Sequence, residues 1–224
     1  MSKKRQDKKV KAVIFDMDGL LFDTEILYIK VWEHVLASRD LPITIADVKK
    51  TLGLNREQSL RFYVKLLKDV HLIEEIRTLR AQLFQEVLAK EGIKCKPGVL
   101  EVLDYCKNNQ IKTALATSTS QIDALQTIAQ AGLDYDFDIM IFGDMVSKSK
   151  PDPEIFNRAA DLLDIDKQYC VVCEDSYNGV LAANRAQIDV VWVEDLVDLR
   201  NNPDIFYDFA PKQLDEMIEY YWGE

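Results

Sequence analysis

Two carboxylates one residue apart, Asp16 and Asp18, close the apolar run 12–15, and Gly19 follows at once. Like charges held this close are costly unless something cationic sits between them. Alternate residues of an extended segment face the same side, so the pair can point together. Gly19 permits the sharp turn that this placement needs. Three more polar groups follow apolar runs further along: the hydroxyl cluster Thr117-Ser118-Thr119-Ser120, Lys150 in Lys-Pro-Asp-Pro, and the acidic pair Glu174-Asp175. Hydroxyls leading into a helix, with its first N–H groups, suit a phosphate. Lys150 adds a positive charge just before a proline-fixed turn, and clustered carboxylates suit a hard divalent cation. Each group also has a plain structural reading. Asp18-Gly19 is a common turn, the hydroxyls and Glu174-Asp175 can cap helices, and Lys150 can be a solvated loop charge. Four such groups at four strand ends are harder to assign to accident.

Those strand ends follow from the patterning. Five short, β-branched apolar runs, 12–15, 113–116, 139–142, 171–173 and 190–193, read as buried parallel strands. Between the last four lie helical patterns, with Leu125, Ile128 and Ala129 on one face, and Ile155, Ala159, Leu162 and Leu163 on another. Strands alternating with helices predict an α/β fold with a doubly wound parallel sheet. Its ligand crevice lies at the C-terminal ends of the strands. The interval between the first two strands is far longer than one crossover needs. It reads as helix over 25–36, 56–70 and 73–89, before the turn Lys96-Pro97-Gly98. An inserted helical cap over 24–95 is the economical reading, with 1–23 and 96–224 forming the α/β core.

Composition narrows the partners. At 224 residues, 48% apolar and 29% charged, the chain can bury a substantial core. A formal net charge of −10 disfavours nucleic acid, while a small anion could still be held locally. No apolar run approaches the ~20 residues of a membrane span, and no membrane partner is expected. The basic stretch 1–11 lacks the apolar region of a signal peptide and reads as a solvated tail. A cytoplasmic protein, taken as a monomer, is expected. Cys170 and Cys173 lie in an apolar run with no second Cys or His pair to complete a zinc site, and read as buried thiols. His34 and His71 fall in the helical insertion, so Ser-His-Asp chemistry has no base at a core strand end. The C-terminal Tyr220-Tyr221-Trp222 is expected to pack on the core.

Taken in order, Asp16-x-Asp18-Gly19-x-x-x-Asp23-Thr24, Thr117, Lys150 and Glu174-Asp175 resemble the four motifs of the haloacid dehalogenase (HAD) superfamily. The resemblance spans the whole chain, and the insertion resembles that family's helical C1 cap. It implies a Mg²⁺-dependent enzyme acting on a small phosphorylated metabolite. It also implies Asp16 as a nucleophile forming an aspartyl phosphate, with Asp18 as general acid and then base. Thr117, the Ser118 N–H and Lys150 would hold phosphoryl oxygens. Asp16, the Asp18 backbone carbonyl and Asp175 would hold Mg²⁺, with Glu174 as a further ligand or behind them.

Within the superfamily the chain is similar to the β-phosphoglucomutase-like group of mutases and phosphatases. Gly53-Leu-Asn-Arg56-Glu-Gln-Ser59 resembles the mutase loop whose arginine grips a distal phosphate, although Arg56 equally reads as an exposed helix-start residue. Tyr28 stands where the mutases carry a histidine, and Ser120 where they carry a lysine. Hydrolysis of a small phosphate monoester, a sugar phosphate or nucleotide-like compound, is therefore expected. Interconversion of β-glucose 1-phosphate and glucose 6-phosphate is the alternative. Tyr28, Arg56 and Arg80 are expected to face the substrate from the cap. Receiver-type signalling domains also gather an acidic pair, a hydroxyl and a lysine around Mg²⁺. They lack a helical insertion after the first strand and carry the phosphoacceptor on a later one. A non-catalytic relative would be expected to have lost some of Asp16, Asp18, Lys150 or Asp175, and all are present.

Overall fold

The run Ala12–Phe15 offers no polar side chain to water, and the computed structural model buries all of it as the central strand, β1. The structure describes residues 9–54 and 56–223, with Arg56 described by its backbone alone; the tail up to residue 8 therefore lies outside it. Strands β2 (Lys112–Ala116) and β4 (Cys170–Glu174) flank β1 in parallel, which sets Phe15 beside both Leu115 and Cys173. With β3 (Ile139–Ile141) and β5 (Asp189–Trp192) they form a five-stranded sheet of order β3-β2-β1-β4-β5. The chain steps outward from β1 to β3 and then returns to the other side of β1. That reversal opens a crevice beyond the strands' C-terminal ends.

Four helices fill the interval after β1: α1 (Thr24–Ser38), α2 (Ile45–Lys49), α3 (Arg56–Leu67) and α4 (Val70–Glu91). They bury a core of their own around Trp32, Val35, Val48, Tyr63 and Ile76. The segments leading in and out run side by side. Phe22 bridges to Cys95, and the Lys96 N–H donates to the Leu21 carbonyl at 2.9 Å. The helix boundaries differ from the sequence reading most between α3 and α4. Lys68 takes a left-handed backbone (φ 55°), which ends α3 at Leu67. Asp69 then accepts the Leu72 N–H at 3.0 Å and starts α4 at Val70. Helix α2 was not anticipated, because five residues are too few to display a period. Its sequence trace is the capping box of Thr44 and Asp47.

Because side chains alternate across a strand, Val13 and Phe15 enter one layer and Ala12 and Ile14 the other. Helices α5 (Val99–Asn108), α6 (Gln121–Ala131) and α9 (Glu216–Trp222) cover the first face. Helices α7 (Glu154–Leu163) and α8 (Tyr177–Ala186) cover the second. Tyr220 and Tyr221 are buried against the core, and Cys170 and Cys173 are buried on β4. Two face assignments need correction. Helix α6 turns Ala124 and Thr127 inward, leaving Ala129 exposed and Leu125 41% exposed. In α7, Leu162 is 56% exposed while Phe156 and Ala160 are buried. An inward stripe spans only about 100°, so an apolar residue one position off it faces water. Among the described residues, no helix is long and apolar enough to cross a membrane.

Candidate active site

Four strand-end groups meet in the crevice. Asp16 follows β1, and its backbone N–H donates to the Cys173 carbonyl of β4 at 3.0 Å. The turn beyond it depends on Gly19, whose φ of +80° is open to glycine and whose Cα abuts the Asp175 carboxylate, leaving no space for a Cβ. Asp18 points to the hydroxyl loop after β2, accepting from Thr119 Oγ1 at 2.6 Å and Thr117 Oγ1 at 3.3 Å. Thr117 is wholly buried, and its Oγ1 also accepts the Thr119 N–H at 3.0 Å. Lys150 is buried as well, donating to the Asp16 carboxylate, to Glu174 Oε1 at 2.8 Å and to the Ala116 carbonyl at 3.0 Å. One ammonium thus ties together the ends of β1, β2 and β4.

Glu174 is fully enclosed. Its second oxygen accepts from the Asp175 and Ser176 N–H groups, both at 2.9 Å, and from Ser176 Oγ at 3.0 Å. Asp175 is different: its carbonyl accepts from Trp192 Nε1 at 2.9 Å, but its buried Oδ1 has no partner among the described residues. Burial, aided by the Glu174 and Asp18 charges and opposed by Lys150, pushes the Asp16 carboxyl up to about 8. Burial, then Glu174 and Asp16, pushes Asp175 well above its ordinary value. Desolvation works against the Lys150 charge, yet Asp16 and Glu174 outweigh it and hold Lys150 above the usual lysine range. The carboxylates are thus under-neutralised by one lysine.

Oxygens of Asp16, Glu174 and Asp175 lie within 4.8 Å of one another. The orphaned Asp175 oxygen and the all-oxygen donor set suit a hard divalent cation. The Asp18 side chain stays outside this trio, engaged by hydroxyls. A second acidic group, Glu25, Asp175 and Asp195, shares Asp175. It is relieved internally, because Lys96 donates to Asp195 at 2.5 Å and to the Gly19 carbonyl at 2.7 Å. Burial, then Asp195, pushes the Glu25 carboxyl up to about 8, which favours its protonated form at neutral pH.

A cavity of about 380 Å³ opens over these groups, roofed by Tyr28, Leu54, Ser59 and Phe84 from the helical insertion. Ser118, Thr119 and Lys150 reach its wall, and Tyr28 lines it from the insertion. Ser120 does not line it; it caps α6, donating to Asp123 at 2.6 Å. The Arg56 side chain lies outside the described residues. Arg80 stands back from this cavity, its guanidinium 4.4 Å over the Tyr28 ring. Sequence reasoning missed Asn178, a buried residue of α8. Its amide donates to the Gly53 carbonyl and to Gln58, both at 2.7 Å, tying core to insertion. It also read Lys96 as a turn marker only. Neither residue sits at a motif spacing that could have drawn notice.

A parallel sheet with carboxylates, a hydroxyl loop and a lysine gathered at its strand ends, under a helical insertion, is the arrangement of a HAD-like hydrolase. The family model of haloacid dehalogenase-like hydrolases matches residues 13–193, and the chain belongs to that family. It is 37% identical over 183 residues to a phosphorylated carbohydrates phosphatase of Thermotoga maritima, covering 82% of this chain and 84% of that one. It is 29% identical to the β-phosphoglucomutase of Bacillus subtilis, covering 82% and 83%. A crystal structure of a candidate β-phosphoglucomutase from Thermotoga maritima superposes with a TM-score of 0.75 at 33% identity, covering 94% and 97%. The chain is a β-phosphoglucomutase-like member of the family.

Proposed function

We propose that this HAD-type phosphatase hydrolyses a small phosphate monoester, a sugar phosphate first, through an aspartyl-phosphate intermediate on Asp16. The observation that carries the reading is Lys150 bridging Asp16 and Glu174 beneath a cavity lined by Ser118 and Thr119. Asp16 is the nucleophile, aimed by its bond to Lys150. Asp18, positioned by Thr117 and Thr119, protonates the leaving alkoxide and then takes the proton of the hydrolytic water. Thr117, the Ser118 N–H and Lys150 hold the equatorial oxygens, where most of the stabilisation of such a transition state arises. Asp16, Asp175 and the Asp18 carbonyl would hold Mg²⁺, with Glu174 as a bracket behind them; when bound, the ion offsets the charge of the phosphoryl group. Residues 24–95 act as a cap that closes on the substrate and excludes water, with Tyr28 facing the ester.

The second reading, a mutase, is favoured by the likeness to the Bacillus subtilis enzyme. The uncharged Ser120 where that branch has a lysine weighs against it. Assaying a panel of phosphate monoesters that includes β-glucose 1-phosphate, with Mg²⁺ and a trace of glucose 1,6-bisphosphate, separates the two. Free phosphate that disappears in Asp16→Asn supports hydrolysis, and the preferred ester identifies the substrate class. Glucose 6-phosphate without free phosphate would overturn it in favour of the mutase.

A further inference from the structure

The turn after β1 is held from outside its own motif. Gly19 supplies the positive φ, but a glycine lacks the steric constraint that would keep the backbone there. Its N–H donates to the Phe22 carbonyl at 3.0 Å and to Thr24 Oγ1 at 3.2 Å. A trans peptide points its C=O opposite its N–H, so these bonds turn the Asp18 carbonyl away from Phe22 and Thr24. The next peptide is fixed by Lys96, whose ammonium donates to the Gly19 carbonyl at 2.7 Å and to Asp195 Oδ1 at 2.5 Å. Lys96 is itself anchored, its N–H donating to the Leu21 carbonyl at 2.9 Å. The Lys96 and Asp195 side chains are only 12% and 9% exposed. Asp195 lies just beyond β5, and its Oδ2 is 3.2 Å from where a Cβ on Gly19 would stand, a position that the Asp175 carboxylate also abuts. One ion pair therefore grips the Gly19 turn by its carbonyl and backs it with a carboxylate, next to Asp175.

We infer that Lys96 and Asp195 are positioning residues of the metal site, a clamp that keeps the Asp18 carbonyl and the Asp175 carboxylate directed at one ion. The inference rests on the Mg²⁺ reading above and adds two residues outside its motifs. Neither is a ligand. Their part is that of the groups behind metal ligands, which orient them and thereby set the affinity. Charge does not account for it, because Lys96 cancels Asp195 and the pair brings no net charge to the site. What it contributes is position.

The test is calorimetric titration of the metal-free full chain with MgCl₂. The double variant Lys96→Met/Asp195→Asn leaves the net charge of the pair unchanged and encloses no unpaired ion, so it should fold, as urea unfolding checks. Its Mg²⁺ affinity should fall about 10–100-fold, the range for groups that support metal ligands. Lys96→Met alone removes a positive charge near the cation, which by Coulomb's law would tighten binding. The clamp predicts weaker binding instead. Phosphate release from p-nitrophenyl phosphate by the double variant should recover when Mg²⁺ is raised by the factor lost in affinity, which a merely structural defect would not show. Wild-type affinity in the double variant, or tighter binding in Lys96→Met, would overturn the inference. Asp175→Asn separates the readings. Loss of Mg²⁺ binding there, with wild-type affinity in the double variant, sinks the clamp and keeps the metal site. Unchanged binding in Asp175→Asn sinks both. A Lys96-dependent affinity in a chain that releases phosphate from no ester of the panel would remove the phosphatase and keep the clamp.

Discussion

The active-site chamber and a second one of about 270 Å³ inside the cap share Tyr28, Leu54 and Ser59, yet they treat charge in opposite ways. In the core chamber Lys150, its side chain 5% exposed, is bonded to two carboxylates and a carbonyl, and Glu174 uses both of its oxygens. In the cap chamber Arg80 lies over two aromatic rings, and its Nε has no hydrogen-bond partner among the described residues. The difference teaches what each region has to hold fixed. A transferring phosphoryl group is the same in every substrate, so the groups around it can be locked in advance at low reorganisation cost. The cap chamber has no such constant group to meet, and its walls are mostly aromatic and aliphatic, including Trp32, Tyr63, Ile73 and Ile76.

The largest expected effect strikes the core chamber. Asp16→Asn removes the proposed nucleophile while keeping shape, and phosphate release should fall by about 10⁴-fold or more, as for other groups that act as a unit. Residual activity near wild type would transfer the chemistry elsewhere. The next prediction sets the buried pairs against an exposed one. Lys150→Met leaves Asp16 and Glu174 enclosed without their counter-charge and should cost about 3–5 kcal/mol in urea unfolding of the metal-free protein. Lys30→Ala breaks a cap pair with Glu91, equally short at 2.5 Å but with side chains 42% and 40% exposed, and should not shift the urea midpoint measurably. Equal effects of the two substitutions would erase the contrast between the regions.

The same contrast explains what could be read from sequence. The core was legible because its strands are buried on both faces and their ends carry residue types that a plain turn does not require. Asp16, Thr117 and Glu174-Asp175 stand directly after an apolar run, Asp18 follows two positions after Asp16, and Lys150 precedes a proline. The cap was legible only as helix. Arg80 and Tyr28 lie on different helices, 52 positions apart (80 minus 28), and nothing in the spacing announces that one ring will lie under the other's guanidinium. Asn178 and Lys96 escaped for a similar reason, since their roles arise from partners distant in sequence: Asn178 reaches Gly53 in the cap, and Lys96 reaches the turn at Gly19. Leu125 and Leu162 misled because hydrophobicity alone does not distinguish a stripe from its flank.

A glycine pair sharpens the comparison at smaller amplitude. Gly19 and Gly92 both have positive φ, +80° and +69°, so alanine strains the backbone in both, by about 1–3 kcal/mol at Gly92, whose ψ of −176° lies in a region nearly confined to glycine. Around Gly92 a Cβ would meet nothing within 4 Å, whereas at Gly19 it would displace the Asp175 carboxylate. Both variants should lose stability from strain, but only Gly19→Ala should also lose Mg²⁺ affinity, read by calorimetry. Unchanged affinity in Gly19→Ala would remove Asp175 from the proposed ligand set.

The smallest effect concerns the direction in which carboxyl groups shift. Burial drives Asp16 up to about 8. In the cap, Asp47 is solvated and surrounded by donors: Lys50 Nζ and Thr44 Oγ1 at 2.8 Å and the Thr44 N–H at 3.1 Å. Led by Lys50 and then Thr44, these lower it from 3.8 to about 2. A carboxyl group depressed on folding lends stability that is complete above its unfolded value. As the pH falls from 3.8 towards 2 that contribution drains away, so α2 should fray only in strong acid. A carboxyl-detected NMR titration should put the Asp47 midpoint near 2, and Thr44→Ala should move it back towards 3.8. A wild-type midpoint near 3.8 would mean that the capping box does not hold in solution. The opposite signs at Asp16 and Asp47 would then reduce to burial alone, with no part played by the cap's exposed donors.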